Sequence, residues 1–495
     1  MENQWSLFSK LFQMNTTGIA AKGNESATFE IGGSMAVGRT NLGGEIRAML
    51  LRLTRHAAVF EMYEPSLALR LSEVFEEFTI SFHERTVYSG RAVVRSLVDA
   101  GVKTICEVVL EEGGWVDLEF NPEADDRRKL RNEFEGFFRE WGKLYRVAPE
   151  YKVVVADLHT FLTGLNSWLE QVQLRAFSSP ASTRAGLEDE IAMELRDSVM
   201  SPLTHLFARF EDISEKLDES LLLTHREFIK RQLHPLMLCS PFMHRTYSKP
   251  LGYAGDYEMM SMVVRNGYEG KSLFAKLVNT YLLAQPPCEA VRNRVDYLEE
   301  RIVRETSRMA CGGKVANIFC VACGPAWEAA NFISKYPLAD MAKFHLLDFN
   351  AETLDYTTKK LKEIKHLHNR NTEVDLVKNS VHNLLRASGK ATPPDPKYDL
   401  IYCSGLYDYL NDRVCQSLND HLYNLLKPGG LMVVGNFAPS TPGQNLMEHL
   451  MDWFLIYRDS RQLAALAPER ALVDSSSVFA EISGSNIFLE VRKPT

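Results

Sequence analysis

Short runs of apolar and β-branched residues occupy the chain from about residue 26 to about residue 120, with no helical pattern between most of them. The runs are 27–31, 58–62, 78–82, 91–98 and 104–110. Turn residues at 88–90 and 99–101 separate several of these runs. This pattern predicts strands, and strands in direct succession predict a small antiparallel barrel. Residues 66–75 are the exception, for which one helical turn and a loop both remain open.

The hydrophobic period changes to that of a helix after about residue 123. Apolar residues at helical spacing in 130–144 predict an amphipathic helix whose aromatic stripe belongs to a core. Helical patterning continues to about residue 307, with breaks predicted near 178–180 and at Pro202. Residues 240–258 are instead typical of an aromatic loop. Residues 293–294 fall on a predicted helix, where a solvated face is favoured over contacts with a ligand.

Strand-like and helical patterns alternate from about residue 312 onward. The strand-like runs are 315–321, 344–347, 374–377, 400–403, 431–434, 477–482 and 487–491. This alternation predicts a doubly wound, mostly parallel sheet with helices on both faces, and the last two runs predict a hairpin with an antiparallel last strand. The predicted multidomain α/β chain has a tail at 1–25, a β-barrel at 26–122, a helical domain at 123–307 and a sheet domain at 308–495.

Composition and charge narrow the class of protein. The 495 residues carry a net charge of −8 and no long basic run, so nucleic acid is not a favoured partner. No signal peptide pattern is found at the N-terminus, and no apolar stretch reaches the length that spans a bilayer. We therefore expect a cytoplasmic protein without an integral membrane segment. The C-x-x-C pair at 320–323 lacks a zinc-spaced partner and is interpreted as small apolar residues, so no metal is expected.

The end of the run 315–321 has the pattern of a nucleotide site. The small residues of the turn that follows are Ala322, Cys323, Gly324 and Pro325. Such a turn lets a ligand approach the backbone. The next strand ends in Asp348 and Phe349, where a carboxylate can accept both ribose hydroxyls and a ring can flank an adenine. The pattern indicates an adenosine-containing cofactor, while an ordinary turn and a carboxylate that only caps a helix are the alternatives.

Polar residues also follow the later strands. Asn379 and Ser380 close the third strand, where a side chain can bond the adenine amino group. Ser404 and Gly405 close the fourth and are expected to border the cofactor, because ligands bind at the carboxyl ends of strands in open α/β sheets. The residues of this edge that are expected to face the substrate are Tyr407, Tyr409 and Asn436.

An unusual mixture of residues crowds 245–257, with two cations, two glycines, a proline, three tyrosines and an acid. The proline and the glycines interrupt a helix and allow a ligand to come close. We interpret the segment as a lid over the site. In it, Arg245 or Lys249 would attract a carboxylate, and Tyr253 and Asp256 would orient the acceptor. The alternative is a structured loop that caps the helical domain.

Four motifs, taken in order, resemble those of class I S-adenosylmethionine-dependent methyltransferases. They are VACGPA at 321–326, LLDFN at 346–350, DLIYCSGLYDYL at 399–410 and LKPGGLMVV at 426–434. The chain departs from the family at Cys320, where an acid is usual, and at Ala322 and Ala326, where glycines are usual. The resemblance implies S-adenosylmethionine as cofactor. Its methyl group is already activated, so the protein need only orient a nucleophile and exclude water.

The segment KPLGYAGDY at 249–257, placed before such a sheet, resembles the bacterial family of 3-hydroxypalmitic acid methyl ester biosynthesis over residues 150–495. This resemblance implies O-methylation of a carboxylate of a fatty or other apolar acid, and hence a small-molecule substrate. The apolar run 446–457 has two interpretations, the lining of an apolar pocket and core packing. The state of assembly is also open, with a homodimer as one option.

The N-terminal barrel loosely resembles a PilZ domain. PilZ domains that bind cyclic di-GMP have an R-x-x-x-R segment and a D/N-x-S-x-x-G segment, but Arg52 and Arg55 are one residue too close and the second segment is absent. We therefore expect a degenerate barrel with a structural or partner-binding role. The alternative function for the chain is a regulatory protein, with a degenerate methyltransferase module and a barrel that senses a second messenger or binds a partner.

These interpretations assign three sets of site residues. Catalytic roles are expected for Tyr253, Asp256 and Tyr407. Cofactor binding is expected for Ala322, Cys323, Gly324, Pro325, Asp348, Phe349, Asn379, Ser380, Ser404 and Gly405. Substrate binding is expected for Arg245, Lys249, Tyr257, Tyr409 and Asn436.

Overall fold

The computed structural model describes most of the chain in eight ranges. They are residues 34–40, 45–62, 69–82, 85–99, 104–116, 147–176, 181–388 and 397–495. Several sequence predictions lie outside the described residues. These are the tail at 1–25, the strand at 27–31, the helix at 130–144, the break at 178–180 and the barrel boundary at 122–123.

Antiparallel strands in the first part of the described chain close into a barrel. The strands are β1 (Ser34–Thr40), β2 (Glu45–Leu53), β3 (Ala57–Met62), β4 (Val74–Phe82), β5 (Arg85–Asp99) and β6 (Thr104–Leu110). Their order is β1-β2-β3-β6-β5-β4, and β4 pairs back to β1. Phe60, Phe75 and Phe78 fill the interior, with ring centroids 5.4 to 6.5 Å apart. The predicted barrel is confirmed, while its likeness to a PilZ domain stays a prediction.

The turn predicted at 88–90 is wrong, because β5 runs through these residues without interruption. Gly90 instead allows β5 to pack closely against Gly114, since a Cβ atom at residue 90 would lie 2.7 Å from the Cα atom of Gly114. The Tyr88 hydroxyl accepts a hydrogen bond from the Glu111 N–H at 2.9 Å. The tyrosine and the glycine thus mark the contact of β5 with the chain that follows β6.

Helices connect the barrel to the sheet. They are α1 (Pro149–Ala176), α2 (Ala181–Ser214), α3 (Leu222–Met237), α4 (Pro241–Ser248), α5 (Tyr257–Arg265), α6 (Leu273–Leu283) and α7 (Pro286–Cys311). The predicted break at Pro202 is wrong: α2 continues through it, because Leu203 and Phe207 bury one face of the helix in the core. None of the helices in the described ranges has the length and apolar character needed to cross a membrane.

The loop predicted at 240–258 is wrong in its first half, which forms α4. Ser240 caps this helix by accepting a hydrogen bond from the Met243 N–H, and Pro241 occupies the first helical position, where its fixed φ is favourable. Lys249 ends α4 in a left-handed conformation, with φ of 46°. The irregular chain between α4 and α5 is therefore limited to 249–256.

The C-terminal part of the described chain forms one sheet with helices packed against it. Its strands are β7 (Ala316–Val321), β8 (Ala342–Asp348), β9 (Glu373–Lys378), β10 (Tyr398–Cys403), β11 (Leu426–Phe437), β12 (Ser476–Ala480) and β13 (Asn486–Arg492). Its helices are α8 (Trp327–Lys335), α9 (Ala351–Leu367), α10 (Val381–Ser388), α11 (Asp412–Leu425), α12 (Gln444–Met451) and α13 (Ser460–Ala464).

The strand order is β12-β13-β11-β10-β7-β8-β9. β7 to β11 pair in parallel, and β13 is antiparallel to both of its neighbours. The predicted doubly wound sheet with an antiparallel last strand is confirmed. The chain direction across the sheet reverses between β7 and β10, and ligands of open α/β sheets bind outside the carboxyl ends of the strands at such a point.

Candidate active site

The turn after β7 has the backbone of a glycine-rich loop although it contains two alanines. Ala322, Gly324 and Ala326 adopt left-handed φ values of 55°, 50° and 46°. This conformation costs about 1–2 kcal/mol for a residue with a Cβ atom, so other contacts must stabilise the turn. Two such contacts come from α9. The Thr357 hydroxyl donates to the Gly324 carbonyl oxygen at 2.9 Å, and the Lys360 ammonium donates to the Pro325 carbonyl oxygen at 2.6 Å.

A cavity of about 970 Å³, counted with its open mouth, lies at the tips of β7, β8 and β10. A Cβ atom at Gly324 would meet nothing within 4 Å, so the turn faces empty space. The predicted site residues that line this cavity are Tyr253, Tyr257, Ala322, Cys323, Gly324, Pro325, Asp348, Phe349, Ser404, Gly405 and Tyr409. The structure therefore brings these strand tips together with two tyrosines of the segment 245–257.

Asp348, at the end of β8, is held by the backbone of the turn. Its Oδ2 atom accepts from the Gly324 N–H at 3.1 Å, and its Oδ1 atom accepts from the Asn350 N–H at 3.0 Å. Burial raises the pKa of Asp348, and these N–H groups oppose the rise. Asn350, rather than Asp348, caps α9. The carboxylate thus borders the cavity and has lone pairs left for ribose hydroxyls.

Aromatic rings form the wall next to Asp348. The rings of Phe349 and Tyr253 lie with centroids 5.2 Å apart. Burial raises the pKa of Tyr253, so its hydroxyl stays protonated at neutral pH. The Tyr409 hydroxyl accepts from the Trp453 indole N–H at 2.8 Å and is already engaged. This part of the cavity offers flat apolar surface of the kind that packs against a purine.

Four predicted site residues at the later strand tips do not reach the cavity. The Asn379 side chain accepts from the Ser380 N–H, and the Ser380 hydroxyl accepts from a backbone N–H at the start of α10. Tyr407 and Asn436 are fully buried and do not line the cavity. Arg458 donates to the Tyr407 carbonyl oxygen and to the Asn436 side chain. Their hydrogen-bonding groups stabilise the fold.

Three charged residues of 245–257 also turn away from the cavity. Asp256 caps α5 and forms an ion pair with Arg245 Nε at 2.8 Å. Lys249 is 1% exposed and donates to the Met451 carbonyl oxygen at 3.0 Å. Burial lowers the pKa of Lys249 to about 7. In this structure Tyr253 and Tyr257 form a wall of the cavity, and the charged side chains of the segment are hydrogen-bonded within the scaffold.

The interpretation of Arg294 as part of a solvated helix face is wrong. Arg294 is 8% exposed and lines the cavity from α7, on the same face as Val291, Val295 and Leu298. This helical spacing was available in the sequence and places the arginine on an apolar face. Among the described residues, no carboxylate forms an ion pair with Arg294, and its guanidinium contacts Met260 Sδ at 3.5 Å.

Gly405 makes room for this guanidinium. A Cβ atom at Gly405, whose φ is +81°, would lie 3.2 Å from Arg294 Nη1. Burial lowers the pKa of Arg294, although an arginine remains charged at neutral pH. The neighbouring Ser404 Oγ atom is buried and has no hydrogen-bond partner in the described structure. A buried positive charge and a spare hydroxyl together fit an anionic group of a ligand.

An acid that the sequence patterns did not indicate comes from α8. Glu328 lines the cavity and accepts from the Tyr402 hydroxyl at 2.9 Å. Burial raises the pKa of Glu328. Cys320, which stands where related sheets have an acid, is buried nearby, and burial raises the pKa of its thiol. The carboxyl group is thus supplied by the helix after the turn and not by the strand before it.

A family model described as a methyltransferase domain matches residues 318–430. These residues form a methyltransferase domain. The match spans β7 to the start of β11 and includes the turn, Asp348 and the tip of β10. It confirms the predicted methyltransferase class and, with it, S-adenosylmethionine as the cofactor class of the domain.

The chain is also similar to individual proteins. Malonyl-(acyl-carrier protein) O-methyltransferase 2 of Ilyobacter polytropus is 23% identical over 128 residues, which are 26% of this chain and 42% of that relative. The chain thus matches less than half the length of the relative.

Two solved structures are similar to the chain at lower sequence identity. Magnesium protoporphyrin IX methyltransferase of Synechocystis PCC 6803, with bound SAH, has 15% identity and a TM-score of 0.31, covering 43% of this chain and 87% of that chain. The N-methyltransferase NodS of Bradyrhizobium japonicum WM9, in complex with S-adenosyl-L-homocysteine, has 13% identity and a TM-score of 0.27, covering 40% and 87%. These two similarities carry no argument about function.

Proposed function

We propose that this protein transfers the methyl group of S-adenosylmethionine to a carboxylate oxygen of a fatty or other apolar acid. The observation that supports this acceptor is Arg294, a buried cation at the cavity that forms no ion pair among the described residues, since the buried carboxyls of Asp408 and Glu328 act on its charge only from beyond ion-pair distance. Burying a charge is costly unless it is paired, so the ligand is expected to supply the anion. A carboxylate suits the guanidinium because the two can form parallel hydrogen bonds.

The surroundings of Arg294 suit an apolar chain. The aliphatic and thioether side chains that line the cavity from α5 and α7 are Met260, Val264, Val291, Val295 and Leu298. Each buried methylene group of an acceptor would contribute about 0.8 kcal/mol against such a surface. The run 446–457 is part of the core, as one of its two interpretations predicted. The likeness to the 3-hydroxypalmitic acid methyl ester family supports the same substrate class, and the Ilyobacter relative is named as an O-methyltransferase.

The residues at the cavity fit the cofactor. The turn after β7 offers open space at Gly324, Asp348 offers a carboxylate for the ribose, and Phe349 offers a wall for the adenine. S-adenosylmethionine supplies, when bound, a methyl group activated by its sulfonium. The role of the chain is then to orient the acceptor, for which Arg294 is placed. A carboxylate is ionised at neutral pH, so no general base is required.

Methyl transfer to a long-chain acid tests the proposal. The full chain is incubated with radiolabelled S-adenosylmethionine and 3-hydroxypalmitate, and extractable methyl ester is counted. We expect ester from the acid and none from its neutral amide analogue, 3-hydroxypalmitamide. Binding of S-adenosylhomocysteine without ester from any long-chain acid would refute the acceptor class. Absence of S-adenosylhomocysteine binding would refute the methyltransferase activity itself.

The variant Arg294→Gln locates the acceptor site. Removing one partner of a desolvated charge pair costs about 2–4 kcal/mol, so kcat/KM is expected to fall about 30- to 1,000-fold. The matched control is Arg304→Gln on the same helix, whose side chain is 61% exposed and pairs with Glu300. The control is expected to keep the wild-type rate. Equal rates for the two variants would remove Arg294 from the acceptor site.

A further inference from the structure

One wall of the methyl-transfer cavity comes from the barrel. Residues 69–73 form a loop that leads into β4, within the region 66–75 whose structure the sequence left open. Arg70 and Leu71 of this loop line the cavity together with Tyr253 and Tyr409. The barrel and the methyltransferase domain therefore share one site, although more than 200 residues of chain separate this loop from β7.

Hydrogen bonds to other segments fix the loop in place. The Ser72 hydroxyl donates to the Phe454 carbonyl oxygen at 3.1 Å and accepts from the Phe454 N–H at 2.7 Å. The Val74 N–H donates to the carbonyl oxygen of Gly252, in the segment 249–256, at 2.8 Å. Ser72 is fully buried with a left-handed φ of 59°, which costs about 1–2 kcal/mol. Tertiary contacts, and not local preference, thus determine the loop conformation.

The loop presents the guanidinium of Arg70 to the cavity. Its Cζ atom lies 4.9 Å from the centroid of the Phe349 ring, beside Asp348. Its Nε atom is buried and has no hydrogen-bond partner among the described residues. The nearest acid in sequence, Glu73, accepts from the Arg70 backbone N–H at 2.9 Å. No ion pair between the two side chains is found among the described residues, although the charge of Arg70 opposes the burial that raises the pKa of Glu73. Like Arg294, Arg70 is a cation at the cavity that forms no ion pair among the described residues, and its Nε atom has no hydrogen-bond partner there.

We propose that Arg70 binds a carboxylate in the methyl-transfer cavity, so that the barrel supplies a ligand-binding residue and completes the site. The inference rests on the proposed methyl transfer. Two carboxylates can reach this cavity, that of the acceptor acid and that of the amino-acid part of the cofactor. Both present the same planar anion, which a guanidinium can bind through two parallel hydrogen bonds. The barrel is therefore a working part of the enzyme and not an independent module.

Three variants of the full chain test this role. Arg70→Gln removes the charge, Arg70→Lys keeps the charge without the planar fork, and Arg39→Gln is the control. Arg39 lies on β1 with a side chain that is 62% exposed and pairs with Glu77. Calorimetry measures the Kd of S-adenosylhomocysteine and of 5′-methylthioadenosine, which lacks the amino-acid part. Ester formation from 3-hydroxypalmitate measures KM and kcat separately.

For Arg70→Gln we expect a roughly tenfold or larger rise in either the KM for the acid or the Kd of S-adenosylhomocysteine. Arg70→Lys should recover part of this loss, and Arg39→Gln should leave both values unchanged. A higher KM for the acid with an unchanged Kd for S-adenosylhomocysteine assigns Arg70 to the acceptor. A weaker Kd for S-adenosylhomocysteine with an unchanged Kd for 5′-methylthioadenosine assigns it to the cofactor carboxylate. Either pattern supports the proposal.

Two results would overturn it. Wild-type affinities and KM in Arg70→Gln would show that the guanidinium binds no ligand. Equal weakening of S-adenosylhomocysteine and 5′-methylthioadenosine would show that Arg70 acts on the adenosine part and not on a carboxylate. Both results require a wild-type protein that binds S-adenosylhomocysteine and forms ester. A wild-type protein without either activity would instead overturn the proposed function, and this inference with it.

Discussion

The strand tips of the sheet and the segment 245–257 both bring polar residues to the cavity region, but they use them in opposite ways. At the tips, Gly324 faces empty space and the Ser404 hydroxyl is buried without a partner in the described structure. In the segment, Arg245 pairs with Asp256, and Lys249 donates to a backbone carbonyl oxygen. A cluster of polar residues thus indicates a ligand site only where the fold leaves its groups unpaired.

The largest effect is expected at the strand tips, from Gly324→Val. The branched side chain would enter the empty space of the turn and occupy a left-handed backbone conformation, at φ of 50°. We expect S-adenosylhomocysteine affinity to fall more than about 100-fold, or about 3 kcal/mol. Gly313→Val is the matched control, because Gly313 has φ of +67° and open space but lies before β7. Wild-type affinity in Gly324→Val, measured by calorimetry, would remove the turn from the site.

The variant Lys249→Met tests whether Lys249 is a buried part of the scaffold, through the pH dependence of the free energy of unfolding. Burial lowers the pKa of Lys249 in the folded state to about 7, from an ordinary value of 10.5. Between these values the unfolded chain binds a proton that the folded chain lacks, so this group makes wild-type stability rise with pH. From pH 7 to pH 9, the free energy of unfolding of the wild type should gain about 2 kcal/mol relative to the variant. Urea unfolding at both pH values measures the gain, and no relative gain would place Lys249 in solvent.

Alanine variants of Asp348 and Asp256 are expected to have opposite effects on ligand affinity and on stability. Asp348→Ala is expected to weaken S-adenosylhomocysteine binding by about 1–3 kcal/mol, because the ribose loses a charged acceptor. Asp256→Ala is expected to lower the free energy of unfolding by about 1–3 kcal/mol, because the α5 cap and the ion pair with Arg245 are lost, with ligand affinity unchanged. Calorimetry and urea unfolding of both variants measure the pattern. A loss of affinity in Asp256→Ala alone would return that residue to the site.

The smallest effect is expected from Ala326→Gly. Glycine relieves about 1–2 kcal/mol of left-handed strain but adds about 0.5–1 kcal/mol of backbone entropy cost, so the variant should gain at most about 1.5 kcal/mol in stability. Ala329→Gly, within α8, is the control and should lose about 1 kcal/mol. Thermal unfolding of the two variants gives the difference. Destabilisation of Ala326→Gly as large as that of the control would contradict the strain in the turn.

The sheet domain could be predicted from the sequence because its signals are local. Each strand is a short apolar run, and the turn, Asp348 and Phe349 follow their strands directly. The sequence also contained a pattern that places Arg294 at the cavity, because its spacing from Val291 and Leu298 puts it on an apolar helix face. The sequence therefore contained most of the cavity edge formed by the sheet and α7.

Other residues depend on contacts between distant segments, which a sequence pattern does not contain. Arg70 reaches the cavity only because Ser72 is hydrogen-bonded to Phe454, in a separate part of the chain. Asn436 was predicted at the site because it lies near the end of a strand, but its side-chain oxygen accepts a hydrogen bond from buried Arg458. In both cases contacts with a distant segment of the chain determine whether the polar side chain reaches the cavity or is hydrogen-bonded in the core.

The most direct test of the account is a crystal structure of the full chain with S-adenosylhomocysteine. We expect the adenosine to lie against Phe349, the ribose hydroxyls within hydrogen-bonding distance of the Asp348 carboxylate, and the amino-acid part of the ligand along the turn at 322–326. A ligand bound elsewhere, with the tips of β7 and β8 unchanged and empty, would contradict the assignment of this cavity to methyl transfer.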